Sequence, residues 1–573
     1  VASDPAVGGD PEAAVVLDNF FPTPDGVRLR GGQELHATVS GAVTQLMNYS
    51  AAGSEKMFVT TASTLSEITN PAEPDEAPLI IFEGFSGGDW SYQQFATTGG
   101  DFIWAVNGVN YGLRYNGTTW EPVTDGNTFN LAYDGLTTTD WDIGETVTGG
   151  TSGATATIIG ITRLTATTGV LKLGPITSGP YQDNEAITAS GAAAVANGAS
   201  AAAMTTSIAG VATNQLDFVW AYKRRLWFIE GGTLRAWWLP VDSITGTATV
   251  FPLSGVFRRG GSLLFGGKVS SDSGDGMDDR IVFVTTEGEV AVYNIGDPAT
   301  ADEVLLEGVY RIGAPLSKRG WFQTGGDLAI LTEDGIVSTL GAMSGDRVAL
   351  MQSAITAPIE GPWQSAVGRA TTETWPVALW PQKTMLVVAV PADASGRSVA
   401  YVANAKTGAW ARFWDWAITA SVVHNGDLFL GRADGKIVSA DTGGSDLGTA
   451  YYGYCLPTFK DGVEMMSALH ARVVARYSEQ FRVRLTGMTD YEAATWPTVP
   501  PITASSAAIW GTSEWGEFLW GGGTIRETAS QWQTVYGNGY ALGVGLTVGA
   551  NATATPIFEP LAIQLQYEAG NAL

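Results

Sequence analysis

The chain has 573 residues, 45% hydrophobic and 15% charged, so it can bury sizeable cores and wholesale disorder is excluded. Its 31 Lys and Arg against 57 Asp and Glu leave a net charge of −26, the wrong sign for gripping phosphates over the whole surface. With 72 Gly, 20 Trp, 18 Tyr and 21 Phe but an ordinary 25 Pro, the composition suits an all-β protein of glycine turns between aromatic and β-branched strands.

The first residues, Val1-Ala2-Ser3-Asp4-Pro5, have neither the charged start nor the apolar core of a signal peptide. No stretch approaches the roughly 18 apolar residues of a membrane-spanning helix. A soluble chain made in a cytoplasm is expected. From residue 57 onward, hairpin-like units recur, each an apolar run, a polar Gly-containing turn and a second apolar run. They are Met57-Phe58-Val59 to Leu65–Ile68, Phe102–Gly108 to Tyr111–Tyr115, Phe218–Trp220 to Leu226–Ile229, and Ile281–Val284 to Val290–Tyr293. Leu328–Leu331 to Ile336-Val337, Met385–Val390, and Leu428–Leu430 to Ile437-Val438 continue the series. Thr286-Glu287-Gly288, Glu333-Asp334-Gly335 and Ala433-Asp434-Gly435 predict hairpin turns with positive φ at the glycine.

Starts near residues 58, 103, 219, 282, 329, 386 and 428 lie mostly about 40–60 apart, close to the roughly 40–50 residues of a propeller blade. The expected fold is therefore a β-propeller of about six to eight blades, with a small inserted β-domain and a C-terminal β-rich platform region. A set of β-sandwiches is the alternative that short hairpins also permit. The long 103–219 gap holds the insertion: from 142 to 210, Ala, Gly, Ser and Thr make up 43 of 69 residues. Within it Gly144-Glu145-Thr146-Val147-Thr148 and Asn184-Glu185-Ala186-Ile187-Thr188 share a pattern and predict two related strands. Thr155–Ile159 and Val170–Leu173 predict two more, and Ala192–Met204 a loop or short helix.

After residue 449, Met465–Val474 leads to Phe481–Leu485, whose alternation predicts a half-buried strand, and Arg472, Arg476, Arg482 and Arg484 form the densest positive cluster in the chain. A Trp- and Gly-rich stretch from Trp510 to Gly523 follows, and Leu542–Val548 and Leu561–Tyr567 predict two further strands. The expected division is 1–125 as N-terminal platform and first propeller strands, 126–211 as insertion, 212–448 as remaining blades and 449–573 as C-terminal platform.

Catalytic signatures are sparse. His36, His424 and His470 are the only histidines, in dissimilar contexts without HExxH. Gly84-Phe85-Ser86-Gly87-Gly88 satisfies GxSxG, but no helix pattern follows it, so Ser86 reads as part of a glycine turn. P-loop and Rossmann patterns are missing. Asp272–Asp279 is rich in carboxylates, yet Gly274 and Gly276 stand where an EF-hand loop needs oxygen ligands, so an inter-strand loop is expected. The lone Cys455, in the apolar run Tyr451–Cys455, is expected to be buried and inert. No enzyme activity, cofactor or metal is expected.

Val16-Leu17-Asp18-Asn19-Phe20-Phe21-Pro22 with Gly26-Val27-Arg28-Leu29-Arg30-Gly31-Gly32 resembles the opening of tail nozzle (tubular tail) proteins of short-tailed bacteriophages. Asp279–Tyr293, Val309–Pro315 and Gly326–Thr332 look like propeller segments of the same family, and Gly144–Gly149 with Ser152–Ala156 like a module of phage structural proteins. The resemblance implies a virion tail protein assembled in the host cytoplasm. It implies a six-fold ring attached to an adaptor ring, flanked by fibres or spikes, retaining double-stranded DNA and conducting it through the host envelope. An acidic inner wall would let like-charged DNA slide, and Arg472, Arg476, Arg482 and Arg484 would then face an assembly interface. The alternatives are a receptor-binding tail protein that recognises a surface glycan, and a propeller enzyme acting on polysaccharide.

Overall fold

The computed structural model describes residues 14–570 except 52, 72, 77, 138, 205–206, 273–276, 371–373, 478–481, 493–494 and 502–525. Most predicted hairpins are the middle of a small antiparallel sheet, while Phe218–Ile229 supplies the first two strands of its sheet and Leu328–Val337 the last two of a three-stranded one. Five of these sheets are self-contained: 91–123, 216–252, 263–311, the three-stranded 321–338, and 420–440 completed by Gln33–Thr38. Two more four-stranded units, Gln45–Glu83 and Val377–Trp414, form the ends of larger sheets, so the propeller has seven blades. First strands of neighbouring blades touch around the ring, for example Ser91–Thr97 with Leu216–Tyr222, and Ala420–His424 with Gln45–Ala51. Apolar residues point into the layers between blades. Trp104 meets Phe228 edge-on across one such layer, and Phe58, Tyr115 and Trp120 fill another.

The turn glycines adopt the predicted backbone: φ is +72° at Gly288 and +82° at Gly435. The ring closes where the Lys436–Ala440 strand pairs antiparallel with Gln33–Thr38, a strand from the other end of the propeller sequence. Three short helices, Thr339–Ser344, Arg347–Gln352 and Glu360–Val367, stand after the three-stranded blade.

The insertion has its own core, around Tyr133, Trp141, Val147, Ile158, Leu171 and Ile187. Its two related strands pair directly, Thr148 opposite Thr188, and each forms a hairpin with the strand after it. One repeat glutamate is structural. Glu185, 3% exposed, accepts from the Thr151, Ser152 and Gln182 N–H groups and the Ser152 hydroxyl, so burial, which disfavours its charge, is overcome and its pKa is lowered. Ala192–Met204 is neither loop nor helix: Ala192–Ala196 and Ala201–Met204 are strands, because they pair with the Thr128–Asp134 strand of the insertion. The chain enters and leaves this unit at adjacent points, where the Ile208 N–H donates to the Thr124 carbonyl at 3.1 Å.

Beyond the blades, the sixth blade continues through Ala14–Asp18 into a sheet of long strands. These are Tyr451–Pro457, Lys460–Tyr477, Val483–Thr489, Arg526–Ala529, Gln533–Ala550 and Phe558–Ala569. Ala14–Asp18 runs parallel to Trp410–Trp414 and antiparallel to Tyr451–Pro457, stitching propeller to platform. No helix among the described residues is long and apolar enough to cross a membrane.

Candidate assembly interface

The segment Leu17–Gly32 becomes a buried latch at the propeller–platform junction. Asn19 is fully buried in the left-handed region at φ 57°, a conformation asparagine tolerates. Its amide works in both directions: Oδ1 accepts from Arg30 Nε and the Trp414 N–H, both at 2.9 Å, and Nδ2 donates to the Tyr452 carbonyl at 2.8 Å. Arg30, 0% exposed, donates two hydrogen bonds to Asp446 at 2.9 and 2.6 Å, and its guanidinium lies 4.2 Å from the centre of the Tyr451 ring. Burial works against its charge, but Asp446 outweighs burial and holds the pKa above the ordinary value.

Arg28 and Lys383 converge on Asp441, which also accepts from the Gly31 N–H. Burial would raise that carboxyl; the two cations overcome it and lower its pKa. Asp18 pairs with Arg412 at 2.7 Å. A Cβ at Gly31 or Gly32 would collide with the backbone of Asp441 or Ser445, which explains the paired glycines. These residues of the opening segment hold propeller and platform together.

The propeller axis holds a cavity of about 380 Å³. Gln45, Tyr92, Gln93, Gln94, Trp321 and Ser421 are among its lining residues. Lys318 sits there between Asp89 and Asp217, at 3.0 and 2.8 Å, and Arg319 bonds Asp89 at 2.7 Å. Desolvation lowers the Arg319 pKa, with Asp89 opposing. Two cations facing two carboxylates leave this axis close to neutral.

The platform is the more open surface. Val463 is 99% and Tyr536 83% exposed, and Trp532, Tyr540 and Leu561 are also exposed, large apolar side chains spread along the platform. The four arginines divide into two pairs. Arg472 and Arg476 lie on Lys460–Tyr477, opposite Gln564 and Glu559 of the neighbouring strand. Arg472 donates to Gln564 at 2.7 Å and stacks on Trp532, while Arg476 approaches Glu559 at 4.0 Å. Arg482 and Arg484 are exposed and line a groove of about 620 Å³ whose walls include Val473, Tyr477, Trp532 and Phe558.

Of the remaining sequence candidates, Ser86 is exposed, bonds Asn110 at 3.2 Å, and lies in a loop followed by the Ser91–Thr97 strand rather than a helix. Cys455 is 6% exposed, and burial pushes its thiol up to about 12. Residues 273–276 of the Asp272–Asp279 loop and the Trp510–Gly523 stretch lie outside the described residues. No group of three or more metal-ligating side chains occurs among the described residues.

No family model matches the chain, and no curated protein matches it. Solved structures similar to it include YCF48 from Cyanidioschyzon merolae, at 11% identity over 72% of this chain and 98% of that one, TM-score 0.26. Another is YCF48 bound to a D1 peptide, at 8% identity over 76% and 99%, TM-score 0.28. A Bacteroides fragilis protein assigned as a 6-phosphogluconolactonase is similar at 12% identity over 60% and 87%, TM-score 0.25.

Proposed function

We propose that this protein is a structural component of a virion, forming the distal tail tube of a short-tailed phage as a ring of copies, likened above to the tail nozzle. The observation that carries the reading is the platform. Long strands extend the sixth blade's sheet and present exposed aromatic and arginine side chains, a surface suited to packing against neighbouring rings or copies. The latch residues that carry the sequence resemblance serve rigidity, which a pressurised conduit requires. A cavity of about 380 Å³ on the propeller axis cannot pass a duplex whose major groove alone is about 12 Å wide. The conduit would run between copies, with the acidic charge of each contributing to a wall that DNA slides past. An adaptor ring above and fibres or spikes at the side complete the proposed set of partners.

The test is immunogold electron microscopy, with antibody to this protein applied to tailed particles produced alongside it. Gold at the distal tail is the expected result. Gold on fibres or spikes would replace the tube with a receptor-binding role, and unlabelled particles would end the virion reading.

A further inference from the structure

The strand Phe558–Ala569 is twelve residues long, and its pairing is to one side only: every partner among the described residues belongs to Lys460–Tyr477. The Gly26–Leu29 strand packs against the Pro560 end of this strand, so the open edge is its far half, and an open strand edge is a template for another chain. Its far end is polar and acidic, with Gln564, Gln566 and Glu568 exposed and Glu464 exposed close by. The groove beside Tyr477 has the opposite character, an apolar floor rimmed by exposed Arg482 and Arg484. In a chain of net charge −26, such a basic rim has an acidic complement in every other copy.

One copy cannot satisfy itself. Glu568 is in register with Ser467, whereas the groove lies at Tyr477 and Phe558. Ten residues of strand separate the two ends, about 33 Å at 3.3 Å per residue. We infer that the groove receives the Gln566–Glu568 end of this strand from a second copy of the chain, Glu568 meeting the Arg482 and Arg484 guanidinium groups. Edge and groove lie at opposite ends of the strand, so successive copies can dock head-to-tail, a contact that closes into a ring where the rotation between copies allows it. This rests on the ring reading above and names the surfaces that would make it.

The experiment uses the full chain with Cys455→Ala, and two further variants of it, Arg484→Cys and Glu568→Cys. Each is purified, and then the two are mixed under mild oxidation. Particles are examined by electron microscopy and covalent species by non-reducing electrophoresis. The expected result is a disulfide-linked dimer in the mixture, at least tenfold above either variant alone, and higher multimers when both cysteines share one chain. Rings without this cross-link would overturn the proposed contact while leaving a ring intact. A chain that stays monomeric at every concentration would overturn the contact and the self-assembling ring together. Charge reversal gives an independent reading: Arg482→Glu with Arg484→Glu should abolish association, and Glu568→Arg mixed with that variant should restore it. Association unaffected by the reversal would also overturn the proposal.

Discussion

Removing the Arg30 guanidinium would leave Asp446, 11% exposed, without its partner and take one of the two donors from Asn19 Oδ1. Breaking a buried ion pair from one side costs about 3–5 kcal/mol, so Arg30→Ala should lower the urea unfolding midpoint sharply. Arg224, 73% exposed and paired with Asp242, is the contrast: Arg224→Ala should cost no more than about 1 kcal/mol. A second residue-scale expectation concerns His424, 5% exposed at the ring closure. There Nδ1 faces Asn48 Oδ1 at 2.6 Å, Phe429 packs on the ring, and Glu55 and His36 supply the nearby charges. Desolvation, helped by His36 and opposed by Glu55, lowers its pKa below 6.5. The unfolded chain therefore takes up this proton first, and the stability it contributes is present above pH 6.5 and lost as pH falls toward the folded value. Unfolding midpoints between about pH 6.5 and 5, above the usual carboxylate range, should fall in the wild type and fall less in His424→Gln. Equal slopes would remove His424 from the account.

At the scale of elements, Gly435 tests how the last blade is locked. Its φ is +82°, and an added Cβ would run into the Val39 carbonyl of the closing strand, whereas Gly408, at φ +72°, has open space around it. Both Gly→Ala changes carry the left-handed strain of about 1–2 kcal/mol. Only Gly435→Ala adds a collision, so its unfolding midpoint should fall further, and equal losses would deny that the turn locks the blade. Many middle strands were legible because both faces are buried, which makes them plain apolar runs such as Ile281–Val284, whereas Arg235–Trp238, with Arg235 exposed, was not. First strands were mostly not, Phe218–Trp220 excepted: Gln93 and Gln94 line the axial cavity and break the apolar pattern of Ser91–Thr97. The Ala-rich strands of the insertion were missed because alanine carries no strand signal of its own, and cross-strand pairing decides their state. The arginines were visible as a cluster, but strand register divides them, and neighbours such as Gln564 and Trp532 are remote in sequence. The latch was legible only as a motif, since Asp441 and Asp446 lie more than 400 residues from Arg28 and Arg30.

Taken whole, the molecule is a closed ring of blades with a separable insertion and a projecting sheet. The insertion joins the ring where Thr155–Arg163 pairs with Ile80–Glu83 of the first blade, and through Lys172 with Glu121 and Arg163 with Glu83, at 2.9 and 2.8 Å. Since residues 124 and 208 already meet by a hydrogen bond, replacing 126–206 by a short Gly-Ser linker should leave a folded propeller. Circular dichroism and resistance to limited proteolysis would check it, and a proteolysed product would mean that the insertion is part of the fold. Charge makes a separate expectation at this scale. With a net charge of −26, the protein should show no sub-micromolar binding to free duplex DNA at physiological salt in fluorescence anisotropy. Tight binding would argue against a sliding wall and for a gripping one.

The closing pair of strands also sets a timetable for biosynthesis. Gln33–Thr38 leaves the ribosome about 400 residues before Lys436–Ala440, the strand it must join. At roughly 5–20 residues per second, that is a wait of roughly 20–80 seconds. Throughout it the nascent chain carries an uncommitted β-edge near its start, open to capture by a neighbour on the same messenger. Fast translation, or a chaperone that shields the first 40 or so residues, would therefore raise the yield of closed rings without altering a single contact in the finished molecule.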